Sequence, residues 1–148
     1  MTKEVNILLI EDNEGDIVLT LEALRGARIH NKVDVVRDGM QAIQFLHKKG
    51  PYSEAVMPDL ILLDINLPKL DGHEVLLQIK NDPALKVIPV IMLTTSDSEK
   101  DILEAYHNHA NCYITKPVGF KNFLDVILTI KEFWISLVQL PNNQETKR

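Results

Sequence analysis

Five short apolar runs alternate with segments of helical length along the chain, and this alternation limits the fold more than any other feature. The runs are rich in leucine and β-branched residues, and each is followed by a polar break. Strands joined by helices pair in parallel, and the helices cover both faces of the sheet. We therefore expect an α/β fold with a doubly wound, five-stranded parallel sheet in the order 2-1-3-4-5. The expected strands are residues 5–10, 32–37, 60–63, 90–93 and 112–115.

Composition excludes several classes of protein. The chain has 148 residues, of which 45% are hydrophobic and 25% charged, and this fits a globular domain and not a disordered chain. The formal net charge is -5, and no cluster of lysine and arginine relieves it, so we expect no binding to nucleic acid. A single cysteine, Cys112, excludes an internal disulfide and fits a reducing compartment.

Hydropathy along the chain predicts a soluble protein of one domain. No apolar stretch approaches the length of a membrane span, and the start of the chain does not match a signal peptide. We therefore expect a cytoplasmic protein with no membrane contact. The single domain is expected to occupy residues 1–148, with a core at about 5–140 and a mobile polar tail at 141–148.

Polar side chains follow four of the expected strands. Because the carboxyl ends of parallel strands lie at one edge of a sheet, we expect these side chains to meet in one crevice. They are Glu11 and Asp12 after the first strand, Asp64 and Asn66 at the third, Thr94 at the fourth and Lys116 after the fifth. Any one of them alone is explained as a solvated residue at a strand end, but that explanation is poor for the whole set.

The acidic members of this set predict a cation site. Carboxylates that lie together repel one another unless a cation is bound among them, and Mg²⁺ needs only one or two carboxylates with water. A carboxylate beside Mg²⁺, a lysine and a threonine favours phosphoryl transfer onto the carboxylate itself. Asp64, on the central strand, is then the nucleophile, while Thr94 and Lys116 stabilise the phosphoryl oxygens.

The residue two positions after Asp64 indicates that the product persists. Hydrolases that pass through an aspartyl phosphate place a second aspartate there as acid and base, whereas this chain has Asn66, which cannot transfer a proton. Without a positioned base, water attacks the acyl phosphate slowly. We therefore expect a signalling phosphoacceptor without substrate turnover. A Mg²⁺-dependent aspartyl-phosphate phosphatase of similar architecture is the enzymatic alternative.

The combination of these residues resembles the response-regulator receiver domain over nearly the whole chain. The motifs that carry the resemblance are Glu11-Asp12, Asp64, Thr94 and Lys116-Pro117. The resemblance implies a flavodoxin-like receiver fold and transfer of phosphate from a histidine kinase to Asp64. It also implies Mg²⁺ bound by Asp12, Asp64 and the backbone carbonyl of Asn66. Glu11, which replaces the commoner aspartate, is implied to act mostly through water.

The same resemblance implies a conformational switch that responds to phosphorylation, and it leaves one alternative to the phosphoacceptor function. Thr94 and Lys116 are implied to bind the phosphoryl group, Tyr113 is implied to change rotamer on activation, and the bond before Pro117 is implied to be cis. The alternative is a pseudo-receiver, an interaction domain that is never phosphorylated.

Other segments resemble a subfamily of receivers. The segments 50–58, 67–72, 109–114 and 133–141 are similar to single-domain regulators partnered with cyanobacterial phytochromes. The resemblance implies that the kinase is a phytochrome. We expect no DNA-binding or catalytic output domain, and we therefore expect the output to be contact with other proteins, phosphate shuttling or a change of assembly.

The last expected helix, at about residues 120–138, is apolar on more than one side. One apolar stripe suffices for a helix on a sheet, so the surplus predicts a second partner surface. We expect a symmetric homodimer whose contact includes Phe133, Trp134 and Leu137. The alternative is that the end of this helix folds back onto its own domain.

Overall fold

A computed structural model describes residues 4–26, 31–94 and 112–115 of the chain. Within these ranges five parallel strands form one sheet in the order β2-β1-β3-β4-β5, which confirms the predicted topology. Each strand lies within one residue of its predicted bounds. The strands are β1 Val5–Ile10, β2 Asn31–Val36, β3 Leu60–Asp64, β4 Val90–Thr94 and β5 Cys112–Thr115.

Three helices in the described ranges begin with a side-chain cap. Asn13 Oδ1 accepts a hydrogen bond from the Asp16 amide at 2.9 Å and caps the start of α1 (Glu14–Gly26). Asp38 and Asp71 cap α2 (Gly39–Leu46) and α3 (Gly72–Asn81) in the same way. A short 3₁₀ turn, Gly50–Tyr52, follows α2. None of the helices in the described part of the chain is long and apolar enough to cross a membrane.

The core lies on both faces of the sheet, and β3 is at its centre. All five residues of β3 are buried. Because side chains alternate along a strand, Ile61 and Leu63 pack in one apolar cluster, and Leu60 and Leu62 pack in the other. Truncating such a buried side chain to alanine typically costs about 2–5 kcal/mol. The last residue of β3, Asp64, is therefore held at the end of a fully buried strand.

The side chain of Lys80 stabilises the connection from α3 to β4. Lys80 Nζ donates hydrogen bonds to the backbone oxygens of Lys86 and Ile88 at 3.0 and 2.8 Å. Burial lowers the pKa of Lys80, since the surrounding protein disfavours the charged form. These bonds hold the segment that leads into β4. The last predicted helix, at about residues 120–138, lies outside the described residues.

Candidate functional site

Three carboxylates meet at the carboxyl ends of β1 and β3. Ile10 is paired in register with Leu63, so Glu11 and Asp64, the residues that follow, lie at the same level of the sheet. Asp12 comes next in the chain. One carboxylate oxygen from each of the three residues lies within 4.8 Å of the others. The parallel register thus brings together the three acids that the sequence placed at strand ends.

The three carboxylates differ in burial. Glu11 is 2% exposed and Asp64 is 6% exposed, whereas Asp12 faces solvent. Two hydrogen bonds fix the position of Glu11. Its backbone N–H donates to Val36 O at 3.0 Å, and its side-chain Oε2 accepts from the Asn13 amide at 3.2 Å. Burial of neighbouring carboxylates is costly unless an opposite charge offsets it. The arrangement is therefore suited to a cation that enters from the side of Asp12.

The oxygen spacing fits a divalent metal. An ion bound at about 2.1 Å from each ligand places its ligand oxygens about 3–4 Å apart. The oxygens of Glu11, Asp12 and Asp64 lie within 4.8 Å, so small side-chain rotations suffice to close the shell. Carboxylate oxygens are hard ligands, which favour Mg²⁺, Mn²⁺ or Ca²⁺ over softer metals. The donor set therefore supports divalent metal binding at this edge of the sheet.

The loop that follows Asp64 is compact. Ile65 O accepts hydrogen bonds from the amides of Leu67 and Gly72 at 3.0 and 2.8 Å, which closes residues 65–72 into a turn. Asn66 is exposed at its tip, and its backbone N–H donates to Asp64 Oδ1 at 3.4 Å. The backbone of Asn66 is thus tied to the expected nucleophile, while its side chain has access to solvent.

Two glycines allow this loop to pack against the helix starts. A Cβ atom on Gly72 would lie 2.3 Å from Asp64 O and 2.6 Å from Ile65 Cα. A Cβ atom on Gly39 would lie 2.1 Å from Leu70 O. Distances this short are overlaps with backbone, which cannot rotate away. The start of α3 therefore contacts the backbone at Asp64 directly, and the start of α2 contacts the loop.

Sequence reasoning missed these contacts and one ion pair beside them. Lys69 Nζ lies 3.6 Å from Asp38 Oδ2 and joins the loop to the start of α2. The available signal was the repeated Asp-Gly dipeptide, at Asp38-Gly39 and again at Asp71-Gly72. In a sequence, an Asp-Gly dipeptide by itself indicates only a turn into a helix. Here each glycine also lies against the backbone of another segment, Gly39 against Leu70 and Gly72 against Asp64.

The remaining predicted site residues are described only in part. Asp64 is paired in register with Leu93, so Thr94 lies at the same end of the sheet. Thr94 and Tyr113 are placed as residues of β4 and β5, and the structure describes no more of them. The other predicted residues lie outside the described ranges. They are Lys116 and Pro117 of the expected phosphoryl site and cis bond, and Phe133, Trp134 and Leu137 of the expected dimer contact.

The chain is similar along most of its length to known response regulators. A family model described as response regulator receiver domain matches residues 7–128. Response regulator Rcp1 of Synechocystis sp. is 45% identical over 135 residues, which cover 91% of this chain and 92% of that protein. The crystal structure of the phosphorylated cyanobacterial phytochrome response regulator RcpA superposes with a TM-score of 0.88 at 48% identity, covering 92% of this chain and 97% of that one.

A second similar structure contains a bound divalent metal ion. The Mn²⁺-bound form of Rcp1 superposes with a TM-score of 0.84 at 45% identity, covering 88% of this chain and 94% of that one. The family match includes the whole acidic cluster of Glu11, Asp12 and Asp64. The predicted fold and the resemblance are thereby confirmed. The chain belongs to the family of response regulator receiver domains, the phosphoacceptor modules of two-component signalling.

Proposed function

We propose that Asp64 accepts a phosphoryl group from a histidine kinase and that the chain then signals by contact with other proteins. The observation that carries this proposal is the buried Asp64 carboxylate at the end of the central strand, with two further carboxylates within 4.8 Å. In the transfer, an Asp64 oxygen forms a bond to phosphorus while the phosphorus–nitrogen bond of the phosphohistidine breaks. The imidazole nitrogen that leaves takes up a proton from water. No substrate pool is turned over.

We propose Mg²⁺ as the metal of this site. Asp12, Asp64 and the backbone carbonyl of Asn66 would hold it, with Glu11 acting mostly through water. Bound there, the ion neutralises charge on the phosphoryl oxygens and offsets the repulsion between the carboxylates. Glu11 keeps a fixed position through its hydrogen bond from the Asn13 amide. Asp12, the exposed member, is the ligand that meets an entering ion first.

Asp12→Ala is expected to weaken Mg²⁺ binding about tenfold or more, because metal affinity follows the charge of the ligands. The measurement is the Mg²⁺ concentration that gives half-maximal phosphoryl uptake from acetyl phosphate, with calorimetry as a direct check. Asp16→Ala is the matched control, since Asp16 is an acid in the first turn of α1 and is not among the three cluster residues. Equal Mg²⁺ affinities in Asp12→Ala and wild type would contradict the ligand assignment.

We propose that the kinase partner is a phytochrome and that the reaction takes place in the cytoplasm. The support is the similarity to RcpA, a cyanobacterial phytochrome response regulator. The test is a phosphotransfer profile against a set of purified histidine kinases at short reaction times. Faster transfer from a phytochrome kinase than from the others is expected. Transfer only from kinases of other classes would overturn the partner and leave the acceptor role of Asp64 intact.

Thr94→Ala and Lys116→Ala are expected to permit phosphorylation at a reduced rate and to weaken the conformational response. Both residues are proposed to contact the phosphoryl oxygens and not to deliver the group, and Tyr113 is proposed to follow them as the switch. The measurement is the change in amide chemical shifts around positions 94 and 113 on phosphorylation. Shifts that persist in both variants would show that the response is coupled through other residues.

We also propose a symmetric homodimer formed by the last segment of the chain. Phe133, Trp134 and Leu137 supply apolar surface beyond what one sheet face needs, and aromatic residues at the centre of a contact carry much of its free energy. Sedimentation is expected to show a dimer for wild type and a folded monomer for the double variant Phe133→Ala with Trp134→Ala. A wild type that stays monomeric at tens of micromolar, with and without phosphate, would refute the dimer.

A further inference from the structure

We infer that the ion pair between Asp38 and Lys69 positions the loop that follows the phosphoacceptor and thereby strengthens divalent metal binding at the site. The inference rests on the proposed role of Asp64 and the Asn66 carbonyl as metal ligands. Neither Asp38 nor Lys69 is assigned as a metal ligand. They act through the loop and are positioning residues.

Asp38 is a fixed point at the start of α2. It is only 6% exposed, and its Oδ1 accepts a hydrogen bond from the Gln41 amide at 2.8 Å. The helix behind it is fixed in turn, since Ala42, Phe45 and Leu46 are buried in the core. The second carboxylate oxygen, Oδ2, is the one that lies 3.6 Å from Lys69 Nζ. A buried carboxylate gains more from a nearby cation than an exposed one does.

Lys69 adopts a backbone conformation that needs support. Its φ angle is +68°, in the left-handed region that residues with a side chain seldom occupy. Such a conformation persists only where neighbouring contacts hold it. The Lys69 side chain is 67% exposed, so packing contributes little, and its ammonium group reaches Asp38. The ion pair is therefore well placed to select the left-handed conformation of residue 69.

The conformation of Lys69 is transmitted to the site through a short loop. Leu70, the next residue, donates its amide hydrogen bond to Pro68 O at 2.8 Å, and its backbone lies against Gly39. The Gly72 amide then closes the turn on Ile65 O, one residue from Asp64. Asn66 lies within this closed turn. In a looser loop the Asn66 carbonyl would be mobile before the metal binds. Part of the binding free energy would then be used to order the loop, so the metal affinity would be lower.

The competing explanation is that the pair is an ordinary surface contact. Exposed ion pairs contribute little to stability, and one partner here is largely exposed. The two explanations differ in what happens to the loop when the ammonium group is removed. Lys69→Met removes the charge and keeps an unbranched side chain of similar length, and methionine has no added preference for the left-handed backbone. Lys69→Arg keeps the charge.

The first arm of the test is hydrogen exchange in metal-free protein. In Lys69→Met, the Leu70 and Gly72 amides are expected to exchange about three to five times faster than in wild type. Lys69→Arg should restore slow exchange. The Gln41 amide reports on the cap of α2 and should keep its wild-type rate in both variants. Lys48→Met is the matched control, since Lys48 is also exposed and also has a left-handed backbone, with φ +54°.

The second arm is calorimetric titration with Mn²⁺ as the probe. Lys69→Met and Asp38→Asn are each expected to weaken Mn²⁺ binding about three- to fivefold, and the double variant should lose no more than either single one. Asparagine at 38 still caps the helix, so the fold is kept. Lys69→Arg and Lys48→Met should bind as wild type does.

Wild-type exchange rates and wild-type Mn²⁺ affinity in Lys69→Met would overturn the inference. Losses of Mn²⁺ affinity that add up in the double variant would also overturn it, because additive losses show that the two residues act independently. Phosphoryl uptake by wild type, measured alongside, tests the proposed function separately. If uptake is normal and the loop is unaffected, the positioning role alone is wrong. If no uptake occurs, the acceptor role is wrong, and the exchange arm still decides whether the pair orders the loop.

Discussion

Asp64→Asn is expected to abolish phosphoryl uptake. With acetyl phosphate and Mg²⁺, wild type should gain one phosphoryl group that is stable to acid and lost in hydroxylamine, as an acyl phosphate is. An amide in place of the carboxylate has no anionic oxygen to attack phosphorus and removes one metal ligand. Asparagine has nearly the same size as aspartate and can still accept the hydrogen bond from the Asn66 amide, so the variant should remain folded.

The matched control is Asp59→Asn, the same change immediately before the other end of β3. Asp59 Oδ2 accepts a hydrogen bond from the Asn6 amide at 2.9 Å at the opposite edge of the sheet. This variant should keep its uptake, because position 59 lies a whole strand away from the acidic cluster. Labelling of Asp64→Asn to the wild-type extent would refute the nucleophile. Sustained turnover of a phosphomonoester by wild type would instead favour the phosphatase alternative.

Gly72→Ala is expected to destabilise the fold and to weaken the site together. The new Cβ atom would lie 2.3 Å from Asp64 O, so β3 and α3 must move apart at the nucleophile. Overpacking of this kind typically costs about 1–3 kcal/mol, and an overlap with backbone belongs at the upper end of that range. After subtraction of the gain of up to about 1 kcal/mol from alanine in a helix, a net loss of about 1–2 kcal/mol remains. The net loss corresponds to a Tm lower by roughly 2–8 °C in a domain of this size. Circular dichroism during heating measures it, and Mn²⁺ titration measures the accompanying loss of affinity.

Gly15→Ala is the control for this prediction. Gly15 lies in the first turn of α1, and its added Cβ would meet, among the described residues, only the Asn13 Oδ1 atom at 3.3 Å, where a side chain can shift slightly. We expect a Tm close to that of wild type for this variant. Gly39→Ala should resemble Gly72→Ala, because its Cβ would overlap Leu70 O. A Gly72→Ala protein with wild-type Tm and metal affinity would show that the backbone relaxes there without cost.

The sequence alone determined the elements and the candidate nucleophile. The buried run that forms β3 is apolar at every position and ends in Asp64, and a run of this kind is characteristic of a central parallel strand. The cap formed by Asn13 is likewise a local feature, because its residue type and its place before an acidic turn suffice to indicate it. These features depend on residues within a few positions of one another. Local spacing therefore carries the information.

The environment of the nucleophile was decided only by the tertiary structure. Glu11 and Asp12 are neighbours with similar side chains, yet one is buried and the other exposed, because the end of β1 is paired on one side with β2. Asp38 and Lys69 are far apart in the chain and meet only because Gly39 and Gly72 let three backbones approach closely. Such contacts depend on differences of less than an ångström between packed backbones. The spacing of apolar and polar residues along the sequence does not predict contacts at that precision.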